Sequence, residues 1–527
     1  MGRYQWTNSG DPNVSYTLQA KPGFEDATVA VTTQVSRSAA EAQIALLAAG
    51  FKARLDEVEA EMATASAERK VKLQAVLDAL TAQRDAEAAL IEQALDDADG
   101  GIFFRNQQVG SADFSFGWTS LQNRNLSYSL SANTSVPFGR RNEGGGYSNP
   151  LTEVTFSRSE RVSYSSMMAK ARLVTDARKK QEALAAIDSV NDQGGAFYRA
   201  TTGLKDPVYQ WSNPDDSDEN WSISVNDRVP QGIADANGVY PSYGTEYSFS
   251  HNVRVMESEV LAAIDAIRDA VKKAEARAAF QAALDENTSF FKSRAGDDDP
   301  VYQWSNKSDP NTNYTITFND HVPSGVRTES GAYPAYTTEA VYSVNRRVSL
   351  QDTLALISGI PDAVKRDQAY LALFTADAIY RVQAGNDDPV YQWTNRFDPN
   401  ESFSMTPNDR LGFTTFSRTA RVSREEVAAR YARLKDTGDS RYAGLEAALA
   451  DARDNAFHVS RAGGDDPTYQ WTSKTDKNLT YSLSLVKVPV GEALADGSYA
   501  SYRVEVTFVR NTRASEADVR AAIALIK

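Results

Sequence analysis

One short phrase limits what this chain can fold into more than any other feature. Arg3-Tyr4-Gln5-Trp6-Thr7-Asn8 stands near the start, and close copies return as Tyr209-Gln210-Trp211-Ser212-Asn213, Tyr302-Gln303-Trp304-Ser305-Asn306, Tyr391-Gln392-Trp393-Thr394-Asn395 and Tyr469-Gln470-Trp471-Thr472-Ser473. A worn copy stands at Phe116-Gly117-Trp118-Thr119-Ser120. Trp118, Trp211, Trp304 and Trp393 fall roughly 90 residues apart, a spacing expected when one supersecondary unit is used repeatedly. At 527 residues the chain is too long for one ordinary core, so a repeated unit also answers how it could bury its apolar residues.

The surroundings of the phrase recur with it. An acidic turn precedes it, written Gly296-Asp297-Asp298-Asp299-Pro300, Gly385-Asn386-Asp387-Asp388-Pro389 and Gly464-Asp465-Asp466-Pro467. The phrase itself alternates as a strand does, with Tyr and Trp on one face and Gln and the hydroxyl residue on the other. Asp11-Pro12-Asn13, Asp309-Pro310-Asn311 and Asp398-Pro399-Asn400 then have turn chemistry. A second alternating run follows, for example Tyr314, Ile316 and Phe318, so the two runs read as a hairpin with one apolar face.

Next comes a loop of variable length that often ends in a tyrosine pair: Tyr240/Tyr243, Tyr333/Tyr336 and Tyr499/Tyr502. A third strand is expected at Thr245–Phe249, Glu339–Val344 and Val504–Phe508. Helices should follow. Ser423 with Glu426 and Ser38 with Glu41 have capping-box spacing, Val260, Ile264 and Ile267 recur at helical intervals, and Ser358-Gly359-Ile360-Pro361 should break a helical hairpin. Phe197-Tyr198-Arg199, Phe290-Phe291 before Arg294, Tyr380-Arg381, and Phe457 before Arg461 read as basic C-terminal ends of the second helices.

The expected fold is therefore α+β: tandem repeats of a small antiparallel sheet of about three strands, each followed by an α-helical hairpin, stacked into an elongated array. The sequence divides into six blocks. These are 1–100, with an extended helical region from about Ser38 to Asp99; 101–203, degenerate; 204–296; 297–385; 386–463; and 464–527, which stops after one helix.

Charge and composition exclude more than they identify. A net charge of −14 argues against duplex DNA or an anionic membrane as partner, since either needs a basic face. With no cysteine there can be no disulfide, thiolate metal site or cysteine nucleophile. No apolar run is long enough to span a bilayer, and the N-terminal residues lack the pattern of a secretion signal. His251, His321 and His458 fall in different blocks and different elements, and no phosphate loop, dinucleotide fingerprint or zinc motif is present. An enzyme is not expected.

Two features carry possible binding chemistry. Asp297, Asp298, Asp299, Asp387, Asp388, Asp465 and Asp466 recur at one junction, and hard cations such as calcium take several carboxylate oxygens. The plainer reading is solvated turn residues, because the spacing matches no calcium loop. The aromatic phrase could stack on sugars, but its fixed place in each block suits packing between sheet and helices better. Recognition would then fall to the variable loop.

The function these features imply is structural: a non-enzymatic building block of a larger assembly, homo-oligomeric or polymeric. A bacteriophage virion component (tail fibre, collar or decoration protein), made in the host cytoplasm, fits best. The alternatives are a cell-surface adhesin or surface-layer protein with calcium in its acidic turns, and a multivalent binder of cell-surface glycan.

Overall fold

A computed structural model describes residues 2–20, 27–143, 145–235, 238–329, 331–408, 410–436, 441–494 and 499–526. The chain runs through β1 (Gly2–Thr7), β2 (Val14–Ala20) and β3 (Ala27–Val35) into a long helical pair, α1 (Arg37–Thr64) and α2 (Ala67–Asp96). It continues with β4 (Phe103–Gln108), β5 (Phe114–Thr119), β6 (Leu126–Val136), β7 (Leu151–Val162), α3 (Tyr164–Ala171) and α4 (Ala177–Asp192). Then come β8 (Phe197–Thr202), β9 (Val208–Ser212), β10 (Glu219–Gln231), β11 (Ser242–Arg254), α5 (Glu257–Asp265) and α6 (Ala270–Asp285).

The same order follows in β12 (Phe291–Ser293), β13 (Val301–Ser305), β14 (Thr312–Ser324), β15 (Ala335–Val348), α7 (Leu350–Ile357) and α8 (Ala363–Phe374). After these lie β16 (Ala376–Gln383), β17 (Val390–Asn395), β18 (Glu401–Asn408), β19 (Phe413–Val422), α9 (Arg424–Asp436) and α10 (Arg441–Ala450). The last elements are β20 (Phe457–Ser460), β21 (Thr468–Thr472), β22 (Leu479–Ala493), β23 (Tyr499–Thr512) and α11 (Glu516–Ala524).

The expectation of separate three-stranded sheets, each followed by a helical hairpin and stacked as an array, is overturned. Among the described residues, 23 strands form one antiparallel sheet, continuous in strand order. The residues expected at helix ends are what overturn it. Phe197-Tyr198-Arg199 lies in β8, Phe291 in β12, Tyr380-Arg381 in β16 and Phe457 in β20. Each of these strands pairs on one side with the strand before the helices and on the other with the Tyr-Gln-Trp strand after them, as β8 does with β7 and β9. The helices stop earlier than expected, α4 before Gly194 at φ +73° and α6 before Asn287 at φ +52°. The aromatic residues that follow then alternate inward and outward, with Phe197 buried and Tyr198 exposed, as a strand requires.

Every tryptophan of the repeated phrase faces an aromatic ring on its hairpin partner: Trp6–Tyr16, Trp118–Tyr128, Trp211–Trp221, Trp304–Tyr314, Trp393–Phe403 and Trp471–Tyr481. The ladder extends to the third strand, with Tyr314 and Tyr342 stacked at 6.4 Å. Such cross-strand aromatic pairs are a main source of sheet stability, here roughly 0.5–1.5 kcal/mol each beyond area burial. The helices cover this aromatic face. Met167 and Ala171 of α3 pack with Trp211; Val260 and Ile264 of α5 pack with Trp304. Trp118, Trp211, Trp304, Trp393 and Trp471 are only 2–3% exposed, while Trp6 is 47% exposed.

The break at Ser358–Pro361 falls between α7 and α8, and Ser423 Oγ accepts the Glu426 N–H at 2.9 Å as a helix cap. Ser38 lies inside α1 rather than at its cap, which is Ser36, and Glu41 pairs with Arg37 instead.

Candidate functional site

The sheet winds back on itself, so hairpin tips meet helix starts between 185 and 211 residues further along the chain. Three such contacts use the same chemistry. The tip joining β6 and β7 offers the Gly139 carbonyl to Ser349 Oγ, which donates at 2.6 Å, while Tyr147 donates to Asp352 at 2.7 Å. The β10–β11 tip does likewise: Ser423 Oγ donates to the Gly232 carbonyl, and Tyr240 to Glu426 at 2.6 Å. In the β14–β15 tip, Ser515 Oγ donates to the Gly325 carbonyl and Tyr333 to Asp518 at 3.1 Å.

An ion pair and an amide flank each contact. Arg347 donates to Glu153 at 2.9 Å, Arg421 to Glu246 through two nitrogens at 2.6 and 3.0 Å, and Arg513 to Glu339 at 2.8 Å. Asn311, Asn400 and Asn478 donate to the backbone carbonyls of Ser135, Arg228 and His321.

The local sequence explains why these groups converge. Serine caps its own helix with one lone pair and keeps its hydroxyl proton for the incoming carbonyl. The acid three residues on sits in the first turn, where the helix dipole favours negative charge. Gly232 and Gly325 adopt φ +76° and +82°, and a Cβ on either would come within 2.6 Å of the ring of Pro241 or Pro334. Only glycine can present its carbonyl from that turn. Ser349, Ser423 and Ser515 are 2–3% exposed, so the seats are filled.

Burial, and then the carboxylate beside it, pushes the Tyr147 phenol up to about 12 and raises the phenols of Tyr240 and Tyr333 too. A phenol whose folded value is raised contributes stability in full below its ordinary value of 10.0, and loses it as pH climbs through the raised value. The Gly139–Tyr147 tip is therefore expected to loosen between pH 10 and about 12. In a tyrosinate absorbance titration, Tyr147→Phe and Tyr240→Phe should each remove one late-titrating phenol.

The acidic turns make a second set of contacts, each to the start of the second helix two blocks before. Asp297 pairs with Arg178, Asp298 with Lys179 at 2.7 Å, Asp387 with Lys272 at 2.5 Å and Asp465 with Lys365 at 2.7 Å. The backbone N–H of Gly296 and Gly385 donates to Glu182 and Glu275, both at 2.7 Å. Asp298 also meets Arg453, and Asp299 meets Lys477. Asp466 accepts the Lys487 N–H, and Asp388 is exposed. The seven aspartates thus stand at three separate junctions, most of them against a cation. Calcium would have to displace those lysines and arginines, so a chelator is expected to leave the thermal unfolding midpoint unchanged to within a degree or so.

The histidines do not converge. His251 lies between Glu182 and Glu219, His321 bonds Asp320 at 2.7 Å, and burial lowers the His458 imidazole below its usual value. Among the described residues, no helix is long and apolar enough to cross a membrane.

The long α1–α2 pair acts as a brace. Arg54 donates to the carbonyls of Ala376 and Asp377 at 3.0 and 3.2 Å and to Glu153 at 3.3 Å, tying the first block to the second and the fourth. A cleft of about 330 Å³ lies where α2 begins beside α8, but its charged groups face one another: Arg69 pairs with Glu61 at 2.8 Å and covers the Tyr370 ring.

Sequence reasoning missed the filled seats because it gave the variable loops to an outside ligand. The signal was present in two halves, a glycine with a tyrosine on each tip and a serine with an acid at each helix start. Nothing local joins them across so long a separation. No family model, no curated protein and no solved structure matches this chain.

Proposed function

We propose that the chain is a non-catalytic structural element, a building block of a larger assembly of the kind found in a bacteriophage tail fibre, collar or decoration layer. The observation that carries this reading is where the recurring polar residues are used. The tip glycines and tyrosines, the capping serines with their acids, and the acidic turns bond one part of the sheet to another. A chain whose repeated polar chemistry is directed at its own blocks gains stiffness and a fixed pitch, which are the properties of a spacer or strut.

The glycan alternative loses its anchor at Trp304, which is 2% exposed and offers no free face for stacking. The experiment is protein mass spectrometry on purified virus particles and on envelope fractions from cells that encode the chain. Recovery in fixed stoichiometry with the particles is the expected result. Recovery only with the cell envelope would sink the virion reading and favour a surface protein.

A further inference from the structure

Both ends of the sheet carry half of a contact that the middle of the chain completes. At one end is α11. Four residues past its cap stands Val519 and eight past it Ile523, the positions held by Met167 and Ala171 in α3, Val260 and Ile264 in α5, and Val427 and Tyr431 in α9. Those six are at most 6% exposed and pack beside the tryptophan of the following block, whereas Val519 and Ile523 are 48% and 60% exposed. At the other end, Trp6 is the tryptophan of the repeated phrase that no helix among the described residues covers; it stacks on Tyr16 and is 47% exposed.

The hairpin tips show the same complementarity, one block further on. The β22–β23 tip has the full set of docking groups: Gly491 at φ +91°, Tyr499 packed edge-on against Tyr502, and Glu505 in the register of Glu153, Glu246 and Glu339. The Glu505 side chain is 48% exposed, against 20–34% for Glu153, Glu246 and Glu339, and among the described residues it pairs along its own strand with Arg503. In the second block, Asn125, Arg161 and Ser163 stand where Asn311, Arg347 and Ser349 stand in the fourth, since the Arg161 N–H bonds the Asn125 carbonyl as Arg347 bonds Asn311. All three are exposed, where Ser349 is 2% exposed. Arg161 makes no ion pair among the described residues.

We propose that these surfaces are the two faces of a head-to-tail contact between copies of this chain. Helix α11 of one copy covers Trp6 of the next, while its β22–β23 tip seats on Arg161 and Ser163 of that same copy. The two contacts demand one displacement, because inside the chain a helix packs on the block after it and a tip seats two blocks on. The blunted parts agree as well. The fifth block's strands β18 and β19 are only 8 and 10 residues long, against 15 and 14 for β22 and β23. The short tip they form would meet the first block, whose seat has Gln34 and Ala39 in place of the arginine and the acid. At the second-block seat, Ser166 replaces the acid, so the tyrosine finds a hydroxyl there and the contact should be weaker than the three internal ones.

This deepens the structural reading and is tested on the full purified chain by sedimentation velocity over a concentration series. The sedimentation coefficient should rise with concentration, and Glu505→Lys or Arg161→Glu should each weaken association by about tenfold or more. Both sites lie on the surface, so circular dichroism should be unchanged. The double variant, with the charges exchanged, should recover association. Tryptophan emission should shift to the blue on association in the wild type and not in Ile523→Glu, since the tryptophans other than Trp6 are already buried. A wild type monomeric at about 100 μM, or a double reversal as weak as the singles, overturns the contact. A chain found in virus particles yet monomeric in solution would overturn the contact and leave the structural reading standing.

Discussion

Trp393→Ala is expected to cost about 3–5 kcal/mol of local stability, the range for emptying a large buried aromatic site. The ring stacks on Phe403 at 5.7 Å and lies 6.4 Å from Phe416, in a core shared with Ile357, Leu373, Ile379 and Met405. Its indole N–H donates to the Ala372 carbonyl at 2.9 Å, tying the strand to the last turn of α8. Trp471 and Trp118 make the same bond to Ala448 and Ala94. The buried indole nitrogen of Trp304 has no partner among the described residues. Trp393→Phe should therefore cost about 1 kcal/mol more than Trp304→Phe, because only the first gives up a hydrogen bond. Trp6→Ala, at an exposed site, should cost far less than Trp393→Ala. So long a sheet need not unfold in one step, so hydrogen exchange of β17, β18 and α8 is the proper measure. Protection that survives Trp393→Ala unchanged would remove this tryptophan from the core.

The contrast between these tryptophans shows how far the sequence can be read. The alternation of Tyr-Gln-Trp, the turn chemistry after it and the break at Ser358–Pro361 are local signals, and each became the element expected of it. The place of the tryptophans against the helices was legible because a fixed position in a repeated phrase selects for packing. The fourth strand was not legible, since a three- to eight-residue run such as Phe457–Ser460 carries too few alternations to separate it from a helix end. That one omission changed the fold class: with the strand counted, each set of three strands joins the next, and the sheet becomes continuous.

The seats were hidden for a different reason. Ser423 and Glu426 look like a cap that serves its own helix, and they are one. The second role of each side chain depends on a tip some 190 residues away. The variable loops of the second, third, fourth and sixth blocks differ between the points that dock while keeping the docking glycine and tyrosine.

Those seats supply the second large effect. Arg421 and Glu246 meet through two hydrogen bonds, with side chains 12% and 20% exposed. Arg421→Met leaves a half-buried carboxylate without its cation, at an expected cost of about 2–3 kcal/mol. Glu246→Gln alone should cost less, because the amide oxygen still accepts one bond from the guanidinium. The double variant should be less destabilised than the sum of the singles, with a coupling of about 1–2 kcal/mol. Hydrogen exchange locates the effect: the tip from Gly232 to Tyr243 should open together with the start of α9, although the two lie far apart in sequence. Additive costs, or a tip that opens while α9 stays protected, would mean that the ion pair is incidental to the docking. A coupled opening would make the tip and its seat one cooperative element, the behaviour a stiff strut requires of the contacts between its turns.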